Sequence, residues 1–353
     1  MLASEVLENL AKFPHCILLT RVGQFYEVCL IPPTTCRPFP HHCSQSYFDQ
    51  AAEVSQLLNI KLSGKSWGGQ RVLMCGFPTL HLHKYLKVLV EKNKRCVAMC
   101  EEFLREPLEG PKSGFDRRVA RIITPGTLID EPFLNADENN YLLSVGTLGP
   151  LESTAQIVGL SWIDVSTGEF FMKECTVENL RDELVRIAPR EVVMKRSTAD
   201  DSHLFAAREV IEQEGIVLSF VTPKPAEREI SSGPPEDPES PSSALSQNEG
   251  AAVELLTTFL HDNLLESMPK LTQPSREFSE GRMEIDSHTV KGLEIRESMR
   301  EGGATGSLLS VVKRTVTSSG TRLLARWLCG LIHDILPISL ADNGNVRLPF
   351  HAA

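Results

Sequence analysis

The sequence predicts an α/β protein whose last third is helical, and three patterns indicate this. Short apolar runs alternate with segments of helical spacing over residues 1–104. A hairpin, a helix and a further strand then follow in residues 131–223, which is typical of a second layered α/β domain. Beyond residue 250 the apolar residues recur only at helical spacing.

The first predicted domain, residues 1–104, mixes three strands with two helices. Its first strand is an apolar run that ends in a glycine turn at Gly23. The predicted strands are Ile17 to Thr20, Val72 to Cys75 and Cys96 to Cys100, and the predicted helices are Tyr47 to Leu58 and His81 to Glu91. Strands and helices mixed over so short a stretch predict one compact domain with a mixed sheet.

The second predicted domain is flanked by segments that resemble linkers, at residues 105–130 and 224–249. The first is rich in Gly, Pro and charge, and the second is dense in Pro, Ser, Glu and Gly, which is typical of disorder. Within the domain the predicted elements are the hairpin Ala155 to Asp164 and Phe170 to Lys173, the helix Val177 to Ile187 and the strand Glu191 to Met194. Residues 250–336 are predicted to begin a helical domain, and residues 337–353 have no clear period.

Charge is unevenly distributed along the chain. The net charge is −10, yet residues 1–122 contain 16 Lys and Arg against 11 Asp and Glu. A basic first domain on an acidic remainder is what DNA contact at one end of a protein would require, although ordinary variation in surface charge could produce the same bias. No apolar run approaches the roughly 18–20 residues that cross a bilayer, so no membrane partner is expected.

No catalytic or metal-binding pattern stands out. The nine cysteines form no CxxC pair, and the Pro-rich surroundings of Cys36, His41, His42 and Cys43 do not favour a zinc site. Ser63-Gly64-Lys65-Ser66 resembles the end of a phosphate-binding loop. However, Asn59 occupies the position of the glycine that opens such a loop, so no nucleotide cofactor is predicted there.

The segment Thr20-Arg21-Val22-Gly23-Gln24-Phe25-Tyr26-Glu27 carries the most information. A strand that ends in a glycine turn can project the following side chains outward, and an aromatic ring there can insert into a base stack. Glu27 lies two residues on and faces the same way in an extended chain. From the residues alone, a core position for Phe25 and a surface position for Glu27 remain the simpler interpretation.

The surrounding segments resemble the MutS family of mismatch repair proteins in order and spacing. They are LLTRVGQFYE, YFDQAAEVSQLLNIKL, CGFPTLHLHKYLKVLV, RCVAMCEEF, FDRRVARIITPGTLID, LSWIDVSTGEFF, MEIDSHTVKGLEI and GSLLSVVKRTVTSSGTRLLARWL. The resemblance implies a mixed-sheet mismatch-recognition domain, a ribonuclease H-like connector and the start of an all-helical core. The first and fifth segments look most similar to the mitochondrial MutS homologues of fungi, which implies a mitochondrial location, although the first ten residues have no Arg or Lys of a transit peptide.

The resemblance also implies site residues and partners. In the family, the Phe of the FYE motif stacks on a mismatched base and the Glu bonds to it, which here are Phe25 and Glu27. Lys65 is matched to a residue that contacts the DNA backbone, and Arg21 and Gly23 are expected to support the turn. The implied partner is double-stranded DNA with mismatches or small loops, bound by a homodimer in full-length relatives, with repair partners at the connector.

The sequence departs from the family pattern in two places. Residues 28–46 intervene where the family runs almost directly into the next helix, and we hypothesise a translated intron or gene-model error. The family resemblance also stops after Trp327-Leu328, so the ATPase domain, with its ATP and Mg²⁺, is expected to be missing and no enzymatic activity is predicted. The alternative hypothesis is an interaction protein that acts through its connector and does not bind DNA.

Overall fold

The computed structural model describes residues 2–29, 50–67, 70–104, 114–128, 135, 137–147, 156–196, 203–222, 245–277, 285–300 and 303–330. The described residues up to Glu277 form one compact unit, and those from Ile285 onward form a second. The first unit contains two mixed sheets and the second contains helices, so the predicted fold class is confirmed.

The first sheet has the strand order β3-β4-β2-β1-β5-β6. Its strands are β1 (Ile17–Val22), β2 (Phe25–Cys29), β3 (Ser63–Trp67), β4 (Gln70–Pro78), β5 (Val97–Leu104) and β6 (Phe115–Ile123). Strands β1 and β5 are parallel, whereas the other neighbours are antiparallel. The sheet is therefore mixed, as the sequence predicts.

Helices cover both faces of this sheet. They are α1 (Leu2–Lys12), α2 (Gln50–Leu58) and α3 (Leu82–Leu86), and a π-helical segment, Lys87–Lys92, continues α3. On one face Leu19, Tyr26 and Phe77 pack in the same core as Leu86 and Leu89. On the other face α1 packs over β1, β5 and β6. Both faces of β1 are therefore buried, as its uninterrupted apolar run requires.

Strand β6 lies within residues 105–130, which the sequence predicts to be a linker. It pairs with β5 from Phe115 opposite Leu104 to Ile123 opposite Val97. Its apolar residues Val119, Ile122 and Ile123 are buried, and this burial is what holds the segment in the sheet. The linker prediction is corrected for these residues, and residues 105–113 lie outside the described part of the chain.

The predicted insertion, residues 28–46, is described only at its start. Val28 and Cys29 continue β2, opposite Cys75 and Met74 of β4, and Val28 is buried in the core. Residues 30–49 lie outside the described residues, as do the Cys and His residues considered for zinc. The proposed translated intron stays a hypothesis.

The second sheet has the order β11-β10-β7-β8-β9-β12. Its strands are β7 (Tyr141–Gly146), β8 (Ile157–Asp164), β9 (Glu169–Thr176), β10 (Glu191–Lys195), β11 (Val217–Val221) and β12 (Ser275–Arg276). An antiparallel β7-β8-β9 meander adjoins the parallel strands β10 and β11, and helices α4 (Leu180–Ile187) and α5 (His203–Gln213) pack on one face. This arrangement agrees with the predicted ribonuclease H-like layering.

The other face of the second sheet is covered by α6 (Gln247–Leu264). A capping box of Ser246 and Glu249 begins this helix, so the last residues of the predicted disordered linker are ordered. Leu256 and Leu260 of α6 are fully buried against the sheet. Helix α6 thus packs within the first unit, although the sequence predicts that residues from 250 onward belong to the helical domain. The remaining domain boundaries stay predictions.

The described residues of the second unit form three short helices with polar N-caps. They are α7 (Ser287–Gly292), α8 (Leu308–Val312) and α9 (Ser318–Leu328), and the caps are Asp286, Ser307 and Thr317. Val311 and Val316 are exposed. Among the described residues no helix is long and apolar enough to span a membrane. The predicted tail, residues 337–353, lies outside the described residues.

Candidate nucleic-acid interface

The hairpin β1–β2 has a loop of only two residues, Gly23 and Gln24. Val22 and Phe25 pair directly across it, and Gly23 has a φ of +61°. A glycine with positive φ at the first of two loop positions is characteristic of the tight turns whose twist matches that of the strands. The turn therefore places Phe25 at the tip of the hairpin, as the first residue of β2.

Side chains alternate between the two faces of β2. Tyr26 and Val28 enter the core, whereas Phe25 and Glu27 lie on the opposite face. Phe25 is 49% exposed and Glu27 is half-buried. Phe25 is therefore not a core residue, and the simpler interpretation from the residues alone is not what the structure shows.

A hydrogen-bonded group on the core face holds the hairpin to β5. The hydroxyl of Tyr26 donates to Glu101 Oε1 at 2.6 Å, and Arg21 Nη1 lies 3.2 Å from Glu101 Oε2. Burial and the bond to Glu101 raise the pKa of Tyr26 well above its usual range, which keeps its hydroxyl protonated as a donor. Arg21 Nε also donates to the carbonyl oxygen of Gly23 at 3.3 Å, so Arg21 contacts the turn directly.

A second set of hydrogen bonds, made by side chains of β5 and β6, holds the turn itself. The backbone N–H of Gly23 donates to the carboxylate of Glu102, with both oxygens 3.3 Å away. Arg117 Nη2 contacts the same carboxylate, and Arg117 Nε donates to the carbonyl oxygen of Arg21 at 3.1 Å. Glu102 and Arg117 are not predictable from the local sequence, because 79 residues separate Glu102 from the turn that it holds.

Glu27 lies opposite a glycine that has no room for a side chain. Gly76 of β4 pairs with Glu27, and a Cβ added to Gly76 would stand 2.8 Å from the carbonyl oxygen of Tyr26 and 3.6 Å from Cγ of Glu27. The first of these atoms is backbone and cannot swing away. Gly76 therefore sets the space in which Glu27 sits.

We expect Gly76→Ala to lower the free energy of unfolding by about 1–3 kcal/mol, the usual cost of overpacking. The backbones of β2 and β4 must separate at Glu27 to admit the added methyl group. Urea denaturation measures the effect. Gly114→Ala, with open space around the added Cβ, is the matched control. Wild-type stability in Gly76→Ala would contradict the prediction.

Comparisons with known proteins bear on this geometry. Three domain models match in the family's order: MutS domain I at residues 44–132, MutS domain II at 140–230 and MutS domain III at 288–334. The chain belongs to the MutS mismatch repair family. The domain I match begins after the β1–β2 hairpin, so the roles of the hairpin residues do not follow from it.

Full-length relatives extend the similarity across the hairpin. The DNA mismatch repair protein MutS of Rhodopseudomonas palustris is 33% identical over 333 residues, which is 93% of this chain and 34% of the relative. MutS of Nitrobacter hamburgensis is 32% identical over 95% of this chain and 35% of its own length. MutS of Cereibacter sphaeroides is 32% identical over 99% of this chain and 38% of its own length. The chain spans little more than a third of these relatives.

Lys65 lies in the edge strand of the first sheet. It lies in β3, where its backbone pairs with Val72 of β4, and its side chain is outside the described part of the structure. Ser63-Gly64-Lys65-Ser66 is extended strand here, which fits the prediction that it is not a phosphate-binding loop. The phosphate contact of Lys65 stays a prediction.

The carboxylates of the second sheet have structural partners. Asp164 is buried and accepts from the backbone N–H of Asn140 at 3.0 Å and of Ser166 at 2.9 Å, so it anchors the turn between β8 and β9. Glu169 accepts from the hydroxyl of Tyr141 at 3.4 Å. Over the residues that the structure describes, no group of three or more Cys, His, Asp or Glu is placed to hold a metal ion.

Proposed function

We propose that the first sheet of this chain binds mismatched double-stranded DNA and probes it with the β1–β2 hairpin. The observation that carries the proposal is an aromatic side chain, Phe25, exposed at the tip of a hairpin that five side chains hold in a hydrogen-bonded network. A rigid tip can insert a ring at a weakened base step without first losing conformational freedom. Glu27, on the same face two residues on, is the proposed hydrogen-bonding partner of the displaced base.

The surroundings of Phe25 support this proposal. Pro78 pairs with Phe25, and the N–H of Thr79 donates to the carbonyl oxygen of Gln24 at 2.9 Å, which ties the end of β4 to the turn. Leu80 follows immediately and is almost fully exposed. Exposed lysines on and around α3 add positive charge to the domain, at Lys61, Lys84, Lys87, Lys92 and Lys94. We propose that lysines of this set, together with Lys65, contact phosphates.

The finer expectations from the resemblance stay predictions. They include the similarity to mitochondrial homologues of fungi, the mitochondrial location, homodimer formation and repair partners at the connector. No ATP site is proposed in the three matched domains. The support for DNA binding therefore rests on the hairpin and on the family, and not on these further properties.

We expect the 353-residue chain to bind a duplex with one mismatch more tightly than the matched duplex. Glu27→Ala should remove most of this preference, because a hydrogen bond to a charged group contributes about 1.5–3 kcal/mol, or roughly 10- to 150-fold. Glu178→Ala, an exposed carboxylate outside the first sheet, is the matched control. Fluorescence anisotropy at low salt is suitable, since phosphate contacts weaken steeply as salt rises.

A cleft in the second sheet favours the alternative function. It lies at the ends of β10 and β11 and is lined by Met194, Lys195, Arg196, Leu204, Phe205, Arg208 and Phe220. Exposed Phe205 beside three cations would suit an acidic partner protein with an apolar side chain. Equal affinity of the wild type for matched and mismatched DNA would favour this interaction function.

A further inference from the structure

Strand β6 connects the two sheets of the first unit, which the sequence predicts to be separate domains. It spans nine residues, Phe115–Ile123, and so extends over roughly 30 Å. Its first residues lie at the end of the first sheet that carries the hairpin tip, since β5 runs parallel to β1 and antiparallel to β6. Its last residue leads directly into the segment Thr124-Pro125-Gly126-Thr127, which contacts the second sheet.

At the hairpin end, the link is made by Arg117. Its guanidinium binds Glu102, whose carboxylate also accepts the N–H of Gly23, and it donates to the backbone carbonyl of Arg21. Arg117 therefore contacts both β5, through the side chain of Glu102, and β1, through the backbone of Arg21. A displacement of β6 along its length moves the groups that hold Gly23.

At the other end, the link is made by Glu191, the first residue of β10. Glu191 Oε2 accepts from the hydroxyl of Thr124 at 2.5 Å and from the N–H of Gly126 at 2.8 Å, and Oε1 accepts from the hydroxyl of Ser219 in β11 at 2.5 Å. One carboxylate thus joins the exit of β6 to two strands of the second sheet.

The environment of Glu191 makes this contact specific. The side chain is fully buried, and burial raises the pKa of its carboxyl above the ordinary value while the three hydrogen bonds oppose that shift. A Cβ on Gly126 would stand 2.5 Å from Cδ1 of Leu142 and 3.0 Å from Oε2 of Glu191, so a side chain there would displace Leu142 and crowd the carboxylate of Glu191. Buried polar groups that lose such a partner are left unsatisfied, which is costly.

We propose that Glu191 is a positioning residue for mismatch recognition: it fixes the end of β6 on the second sheet and, through β6 and Arg117, fixes the hairpin that carries Phe25. The proposed link between Glu191 and the hairpin concerns the chain without DNA. The effect of Glu191 on mismatch recognition rests on the proposed function. The nearby ion pair of Arg118 and Glu266 is exposed on both sides and adds little to the link.

Amide hydrogen exchange of the full chain without DNA tests the link between Glu191 and the hairpin. We expect Glu191→Ala to speed exchange of the Gly23 amide several-fold, although Gly23 does not touch Glu191, and we expect Glu191→Gln to restore most of the protection. Gln keeps an oxygen for Thr124 and Gly126, and Ser219 can turn to accept from its amide. Leu184→Ala, buried on α4 away from β6, is the control for general loss of stability.

Equal Gly23 exchange in Glu191→Ala and Leu184→Ala would overturn the proposal. If Glu191→Ala does not fold, Thr124→Val replaces it. That variant removes one of the three hydrogen bonds and keeps the shape of the side chain. It should raise the exchange of the Gly23 amide in the same direction by a smaller factor, and an unchanged rate would again overturn the proposal.

DNA binding tests the part that concerns recognition. We expect the ratio of mismatched to matched affinity to fall several-fold in Glu191→Ala, to return in Glu191→Gln and to be unchanged in Leu184→Ala. In a double-mutant cycle with Arg117→Lys, the combined loss should differ from the product of the single losses by more than about twofold, the limit for independent sites. An unchanged ratio in Glu191→Ala overturns the inference, whereas a wild type with no mismatch preference overturns the proposed function and leaves the exchange result standing.

Discussion

Replacing Phe25 with alanine is expected to remove most of the proposed preference of this chain for mismatched DNA and to leave its stability almost unchanged. The ring is 49% exposed, so its truncation creates no large cavity in the core. Stacking of a base on an aromatic side chain contributes about 1–3 kcal/mol, which predicts a roughly 5- to 150-fold loss of affinity for the mismatched duplex. Affinity for the matched duplex should change much less, because a fully stacked step does not admit the ring.

Phe115→Ala provides the matched control for this prediction. Phe115 is 46% exposed and begins β6 in the same sheet, so the two substitutions remove equal rings of equal exposure. Titration of both variants with both duplexes, together with their thermal denaturation, separates stacking from general loss of apolar surface. Loss of mismatch preference in Phe115→Ala to the same extent as in Phe25→Ala would show that Phe25 has no special role.

The first strand and its turn were predictable from sequence, whereas the returning strand β2 and the orientation of its side chains were not. The apolar run from Ile17 followed by Gly23 indicates a strand and a tight turn, and the structure has both. Whether Phe25 or Tyr26 enters the core depends on the register of β2 against β1 and β4, which places Tyr26 opposite Phe77. A shift of one residue would exchange the two aromatic side chains, and nothing local in the sequence fixes that choice.

The contacts that hold the turn depend on residues far along the chain. Arg21 lies within the motif and was expected to support the turn, and it does contact Gly23. Glu102 and Arg117 reach the same turn only because β5 lies beside β1 in the sheet and β6 lies beside β5. The segment from Phe115 has charged residues at its start and was therefore interpreted as a linker, although Val119 and Ile122 carried the signal of a buried strand. Long-range pairing of this kind is not visible in local periodicity.

For α6, the spacing of the apolar residues predicts the helix but not the sheet on which it packs. The helical spacing of the apolar residues beyond residue 250 predicts a helix, and α6 lies there. The sheet on which α6 packs has two glycines side by side, Gly146 of β7 and Gly159 of β8, directly beneath the helix. Only their pairing across the strands reveals a place for a closely packed helix.

We expect Gly159→Ala to destabilise the first unit by about 3 kcal/mol or more, at the upper end of overpacking effects. An added Cβ would stand 2.1 Å from the carbonyl oxygen of Asn248 and 2.7 Å from the backbone nitrogen of Glu249. Both atoms belong to the first turn of α6, so the helix as a whole has to move away from the sheet. That movement would expose part of the core formed by Leu256 and Leu260.

Gly250→Ala, three residues into the same helix, is the matched control for this prediction. No atom lies within 4 Å of a Cβ added there, and replacing glycine by alanine in a helix usually stabilises by roughly 0.5–1 kcal/mol. The two single-methyl additions should therefore shift the urea midpoint in opposite directions, and amide exchange should locate the loss in Gly159→Ala at α6. A midpoint for Gly159→Ala at or above the wild-type value would mean that α6 does not rest on these glycines.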